Sequence, residues 1–145
     1  MSRSPKINTV NEAATKYQAA PNEEYQLVEQ AHRGVPAGAF FDILGFSGLT
    51  KEELSGLLDV SFKTIQRYQN DGKKLNALNS EQLLKMITLY QKAEDVFGDL
   101  VSFNRWLRKP AIGLGNQHPL KYMQTPGGID LIMDELRRIE FGALA

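Results

Sequence analysis

The side chains best suited to chemistry lie in one stretch, TKEELSGLLDVSFKTIQRYQ at residues 50–69, and in NDGKK directly after it. Lys63, Thr64, Gln66, Arg67 and Asn70 fall on the outer face of a predicted helix and carry ammonium, hydroxyl, amide and guanidinium groups. These groups can meet the donor and acceptor edges of base pairs in a major groove, where a guanidinium such as that of Arg67 grips guanine. Lys73 and Lys74 follow in a turn, from which flexible cations reach phosphates. Chemistry of this kind suits recognition of DNA, and the spacing suits equally an ordinary helix pair of a helical domain that never meets DNA.

Other chemistries find little support. His32 and His118 stand in separate segments with no cysteine anywhere in the chain, and neither has the i, i+4 partner that a zinc site on a helix wants. Glu23/Glu24, Glu52/Glu53 and Asp134/Glu135 read as solvated faces or as partners of a helix's positive end rather than as acid–base pairs. The glycines of GLG at 113–115 and GG at 127–128 complete neither a dinucleotide fingerprint nor a Walker loop, and follow no predicted strand. No convergent nucleophile and base appear. The expectation is no catalytic residue, no metal and no cofactor.

The elements that must position the polar face are two short helices. Thr50 and Glu53 have the spacing of a capping box, and Leu54, Leu57 and Leu58 supply an apolar face. Asp59 suits a left-handed residue that ends the first helix, and Ser61 suits the cap of the second. Val60, Ile65 and Tyr68 are expected to turn inward, leaving Phe62 outside with the polar set. That is a helix-turn-helix layout.

Around this unit the pattern is helical throughout, so the fold class is all-α. Residues 1–20 read as a flexible arm with at most a marginal helix over 12–18. A helix opens at Pro21 and Asn22, with Tyr25, Leu27, Val28 and Ala31 inward and Gly34 as its end. The next begins near Pro36, buries Phe40, Ile43 and Leu44, and stops at Gly45. After the Asp71–Gly72 turn, Ser80 is the expected cap of a long amphipathic helix carrying Leu83, Met86, Ile87, Tyr90, Ala93 and Phe97. A short helix follows with Phe103, Trp106 and Leu107 packed inward, then an irregular loop over 110–119 and a helical turn over 119–123. Thr125 and Pro126 start the last helix, with Ile129, Ile132, Met133, Leu136 and Ile139 as its stripe and Gly142 as its stop.

Composition sets the class. The 145 residues include 17 Lys+Arg and 17 Asp+Glu, so any DNA site must draw on local charge. Residues 61–74 supply it, holding Lys63, Arg67, Lys73 and Lys74 against Asp71 alone. No apolar run nears the ~20 residues of a membrane span, and no signal-peptide pattern is present, which points to a cytoplasmic protein.

LSGLLDVSFKTIQR resembles the helix-turn-helix of the Xre repressor-like family through Val60, Ser61, Thr64, Ile65 and Arg67. It departs from that pattern at Ser55, for the family's small residue, and at Asp59, for its turn glycine. The C-terminal series is more specific and is similar to the toxin-binding domain of Xre/MbcA/ParS antitoxins. It runs Phe97-Gly98, Trp106-Leu107, Pro110, Leu114-Gly115, Pro119-Leu120, Thr125 with Gly128, then Arg138-Ile139 with Gly142. Asn116 and His118 depart where glycine and threonine are usual. RGVPAGAF at 33–40 resembles the family's lead-in, so the likeness spans about 25–142.

The resemblance implies an antitoxin that inhibits a RES-domain, NAD-consuming toxin and represses its own operon by binding operator DNA, as a homodimer or as a hetero-oligomer with the toxin. It implies an arm at 1–20, a helical region at 21–98 with the helix-turn-helix at 50–70, and a toxin-binding domain at 99–145. On that reading Asp134, Glu135, Glu140 and Phe141 are the expected toxin contacts, because a pocket for an anionic dinucleotide should be basic. The alternative is a stand-alone Xre-like regulator whose C-terminal half dimerises or senses a ligand.

Overall fold

The computed structural model describes residues 9–19 and 24–144. They form eight α-helices: α1 (Val10–Tyr17), α2 (Glu24–Arg33), α3 (Gly38–Ser47), α4 (Lys51–Leu58), α5 (Phe62–Asp71), α6 (Ala77–Phe97), α7 (Leu100–Leu107) and α8 (Pro126–Leu144). Two 3₁₀ turns, Ile112–Leu114 and Pro119–Gln124, lie between α7 and α8. Among the described residues there is no strand, only the isolated bridges Pro36–Lys74 and Ala111–Gln117. The all-α expectation holds.

The architecture is a shell of helices around α6, which packs against α1, α2, α3, α7 and α8. The sequence suggests that α6 is amphipathic, but Gln82 through Tyr90 are buried on every side. A one-sided stripe is what a surface helix shows, whereas a helix enclosed by neighbours is covered all round. Its polar residues are therefore buried too, and Asn79, Ser80, Gln82, Lys85 and Thr88 each find a partner, while the Tyr90 hydroxyl has none. Asn76 caps α6, its side chain accepting from the Asn79 N–H at 2.8 Å. Ser80, expected to be the cap, is inside the helix. There its hydroxyl accepts from the Val35 N–H at 2.9 Å and donates to the Leu75 carbonyl.

Four further corrections come from packing. Over 10–17 the expected arm is a helix, with Val10, Ala13, Ala14 and Tyr17 buried against the core and Thr9 as its cap. Tyr17 donates to the Asp42 carboxylate, which also takes Lys16 at 3.0 Å. The expected start at Pro21 and Asn22 lies outside the described residues, and Tyr25, expected inward, is 78% exposed. Helix α3 passes through Gly45 and ends at Gly48, whose φ of 76° supplies the left-handed exit. A side chain at Gly48 would collide with Asn104, whose amide donates to the Ser47 carbonyl at 2.7 Å. Finally, α8 runs through Gly142 to Leu144.

The aromatic residues join α3, α6 and α7. Tyr90 and Phe103 meet edge to face at 5.1 Å, and Phe103 stacks with the half-buried Trp106 at 5.9 Å. Such pairs contribute about 0.5–1.5 kcal/mol each beyond their buried area.

Candidate functional site

The helix-turn-helix is built by α4, the turn at 59–61 and α5. Thr50 accepts from the Glu53 N–H and Glu53 accepts from the Thr50 N–H, both at 3.0 Å, completing the expected capping box. Asp59 takes the left-handed conformation at φ 55°, and its N–H and that of Val60 close the end of α4 on Gly56 and Ser55. Asp is tolerated there because its short polar side chain costs little at positive φ. Ser55, at the position where the family has a small residue, is buried. Ser61 caps α5, accepting from the Thr64 N–H at 3.1 Å.

This geometry leaves Lys63, Gln66, Arg67 and Asn70 exposed along α5, with Ile65 fully buried beneath them. Thr64 is half-buried, and its hydroxyl oxygen accepts from Ser61 at 2.9 Å, so it is the least free of the five expected readers. Phe62, expected outside, packs on Phe40 and Phe41 at 5.9 Å from each, with the Lys51 ammonium 4.8 Å above its ring. The first position of α5 thus turns its bulk inward, because an apolar surface on α3 is there to receive it. Lys73 and Lys74 are exposed beyond Gly72. The Lys73 ammonium rests 5.0 Å from the Tyr68 ring, and the Arg67 guanidinium lies 5.9 Å from the same ring. The bridge at Lys74 and the Leu75 N–H bonded to Val35 at 2.9 Å pin this turn to the loop after α2.

The polar ties that hold this unit to the C-terminal half join residues far apart in the chain. The last carbonyls of α4 lack intrahelical donors. Asn79 donates to Leu58 at 3.0 Å, and Gln82 donates to Leu57 at 2.9 Å. The same Gln82 amide also reaches the Met123 and Gln124 carbonyls at 3.1 and 3.0 Å. At the other end of α4, Arg108 grips Glu53 through two bonds of 2.6 and 3.0 Å. That hydrogen-bonded guanidinium holds the Glu53 carboxyl down to about 2. The polar residues at 79, 82 and 85 share one side of α6, which is the signal that could have marked them.

Lys85 makes the tie to α8. Its buried ammonium meets Asp130 at 2.8 Å, Glu81 at 3.3 Å and Glu24 at 3.8 Å. Burial works against that charge, but the hydrogen bond with Asp130 and then Glu81 outweigh it, so its pKa lies above the ordinary lysine value. The cavity of 260 Å³ beside it is lined by Glu24, Thr88, Asp130 and Arg137.

Of the four expected toxin contacts, Phe141 is 71% exposed and Asp134 is exposed, paired with Arg137 at 3.2 Å. Glu135 and Glu140 are more deeply engaged. Glu135 pairs with Arg138 against Gly113 of the first 3₁₀ turn, and Glu140 pairs with Lys92 at 2.7 Å. Asn116 takes φ 61° where the family's second glycine would stand. Among the described residues, no three acidic, histidine or cysteine side chains gather as a metal site. No described helix is long and apolar enough to cross a membrane.

Two family models match the chain in tandem. The antitoxin Xre-like helix-turn-helix domain matches residues 26–87, and the antitoxin Xre/MbcA/ParS C-terminal toxin-binding domain matches residues 92–142. The chain is also similar to "Antitoxin Xre" of Photorhabdus laumondii subsp. laumondii, at 24% identity over 115 residues, covering 79% of this chain and 78% of that one. The two matched segments meet inside α6, follow the family's order and together take in every helix from α3 to α8. The chain belongs to the Xre/MbcA/ParS-type antitoxins.

Proposed function

We propose that this chain neutralises a RES-domain toxin that consumes NAD, and that its helix-turn-helix binds operator DNA to repress the shared operon. The observation that carries the reading is the pairing of two matched segments, a helix-turn-helix and a toxin-binding domain, on one helical body. Support for the DNA half comes from Lys63, Gln66, Arg67 and Asn70, exposed on α5 with Lys73 and Lys74 beside them. Support for a RES-type partner comes from the motif series between Phe97 and Gly142. The proposed activity is binding rather than turnover, in the cytoplasm, as a homodimer or as a complex with the toxin.

The N-terminal helices through α6 carry the DNA role in this proposal, and residues 99–145 carry the toxin role. Asp134, Glu135, Glu140 and Phe141 are its first candidates for toxin contact. Co-expression with the neighbouring reading frame tests it. The expected result is a stable complex, rescue of growth and preserved cellular NAD. A neighbour that depletes no NAD, or one that this chain neither binds nor silences, would overturn it.

A further inference from the structure

The loop between α7 and the second 3₁₀ turn is a closed, rigid hairpin. The Ala111 N–H bonds to the Gln117 carbonyl at 3.0 Å, and the Ala111 carbonyl accepts from Leu114 and Asn116 at 3.0 and 2.9 Å. Gly115 and Asn116 turn the chain at φ 65° and 61°. Ala111 and Leu114 are buried as its feet, and the Tyr122 hydroxyl donates to the Leu114 carbonyl at 3.2 Å. Gly113 lies directly beneath the Glu135–Arg138 pair of α8, where any Cβ would collide with both side chains. Directly after Ala111 in this braced hairpin, Ile112 is 92% exposed.

A single exposed apolar residue is ordinary. An aliphatic side chain held out by a hairpin that four backbone hydrogen bonds close and whose feet are buried is different, because its backbone is ordered before any partner arrives. Six large apolar side chains are exposed among the described residues, and four of them, Val101, Ile112, Leu131 and Phe141, fall within the matched toxin-binding segment. Leu131 stands one turn before Glu135 on the same face of α8.

We propose that Ile112 is an anchor for the toxin, entering an apolar pocket whose polar rim meets the Glu135–Arg138 pair. This rests on the toxin-binding reading above and adds a second contact surface to the α8 terminus. Buried apolar anchors ringed by polar groups are the usual energetic centre of a protein interface.

The test uses the full-length chain and the purified product of the adjacent reading frame, comparing wild type with Ile112→Asp and Ile112→Ala. Gly113→Ala is the second probe, and Leu78→Asp, exposed on α6 outside the toxin-binding segment, is the control. Ile112→Asp is expected to weaken toxin affinity by about tenfold or more, as loss of an anchor does. Ile112→Ala should weaken it less, and Gly113→Ala should weaken it by loosening the clamp. For both Ile112 variants helicity, melting temperature and DNA binding should stay at wild-type values, and Leu78→Asp should bind toxin normally. If wild type binds the neighbour and Ile112→Asp binds it equally well, this proposal falls while the antitoxin reading stands. If Ile112→Asp abolishes a dimer of this chain without changing toxin affinity, the knob belongs to a second copy and the proposal is overturned. If wild type itself fails to bind, the reading beneath it falls first.

Discussion

At the scale of the residue, the candidate readers on α5 differ in how free they are. Arg67 is exposed with only a loose contact to Tyr68, while Thr64 is committed to the Ser61 cap. Arg67→Ala is therefore expected to cost about 1–3 kcal/mol of specific operator binding, relaxing discrimination at one base pair. Gel-shift titrations of operator against random duplex check it, and equal losses on both would make Arg67 a phosphate clamp. Glu53 makes a second prediction. Arg108 holds its carboxyl near 2, below the ordinary value of 4.5, so Glu53 favours the folded state above pH 4.5. That contribution is lost as pH falls through about 2. Glu53→Gln keeps a residue able to complete the capping box but removes the charge. Its stability should fall less than that of wild type between pH 4.5 and 2, read by urea unfolding at each pH. Partial exposure of both partners keeps the difference modest.

At the scale of the element, the turn after α5 is set apart by its pinning. Lys74 is bridged to Pro36 through backbone while its side chain and that of Lys73 stay exposed, so both cations project from a fixed base. Replacing both with alanine should weaken specific and non-specific DNA binding alike, and should flatten log K against log[salt] by about 0.9 for each lost phosphate contact. An unchanged slope would show that neither touches the backbone. The recognition unit was largely legible in sequence, because Thr50, Glu53, Asp59 and Ser61 act within four residues of their partners. The start of α6 and the end of α3 were misread for the opposite reason. Ser80 looks like a cap until Val35 and Leu75 arrive to use its hydroxyl, and Gly45 looks like a stop until Gly48 and Asn104 provide one.

At the scale of the whole molecule, one buried helix serves both halves. The helix-turn-helix segment ends and the toxin-binding segment begins within α6, and one hydrophobic cluster extends from Val10 to Leu136. The chain end beyond that cluster can be removed to test its role. Deleting 140–145 takes away the exposed Phe141 and the Lys92–Glu140 pair, worth no more than about 1 kcal/mol at such exposure. The truncated chain is expected to keep its helicity and its operator binding, and to lose protection when the toxin is expressed. Full protection would leave inhibition to other surfaces, Ile112 first among them. The sequence carries the helical class and the helix-turn-helix, because caps, turn residues and apolar spacing act over short separations, and it shows the family through the resemblance of its motifs. It also carried the motif series from Phe97 to Gly142, whose order is a property of the chain rather than of the fold. Only packing settled that α1 belongs to the core, that Phe62 turns inward, and that Glu140 is held by Lys92. It likewise decided that Gln82 and Arg108 clamp the two ends of α4. Those outcomes depend on groups tens of residues apart, where burial and unsatisfied polar atoms, rather than local propensity, determine which partner is taken.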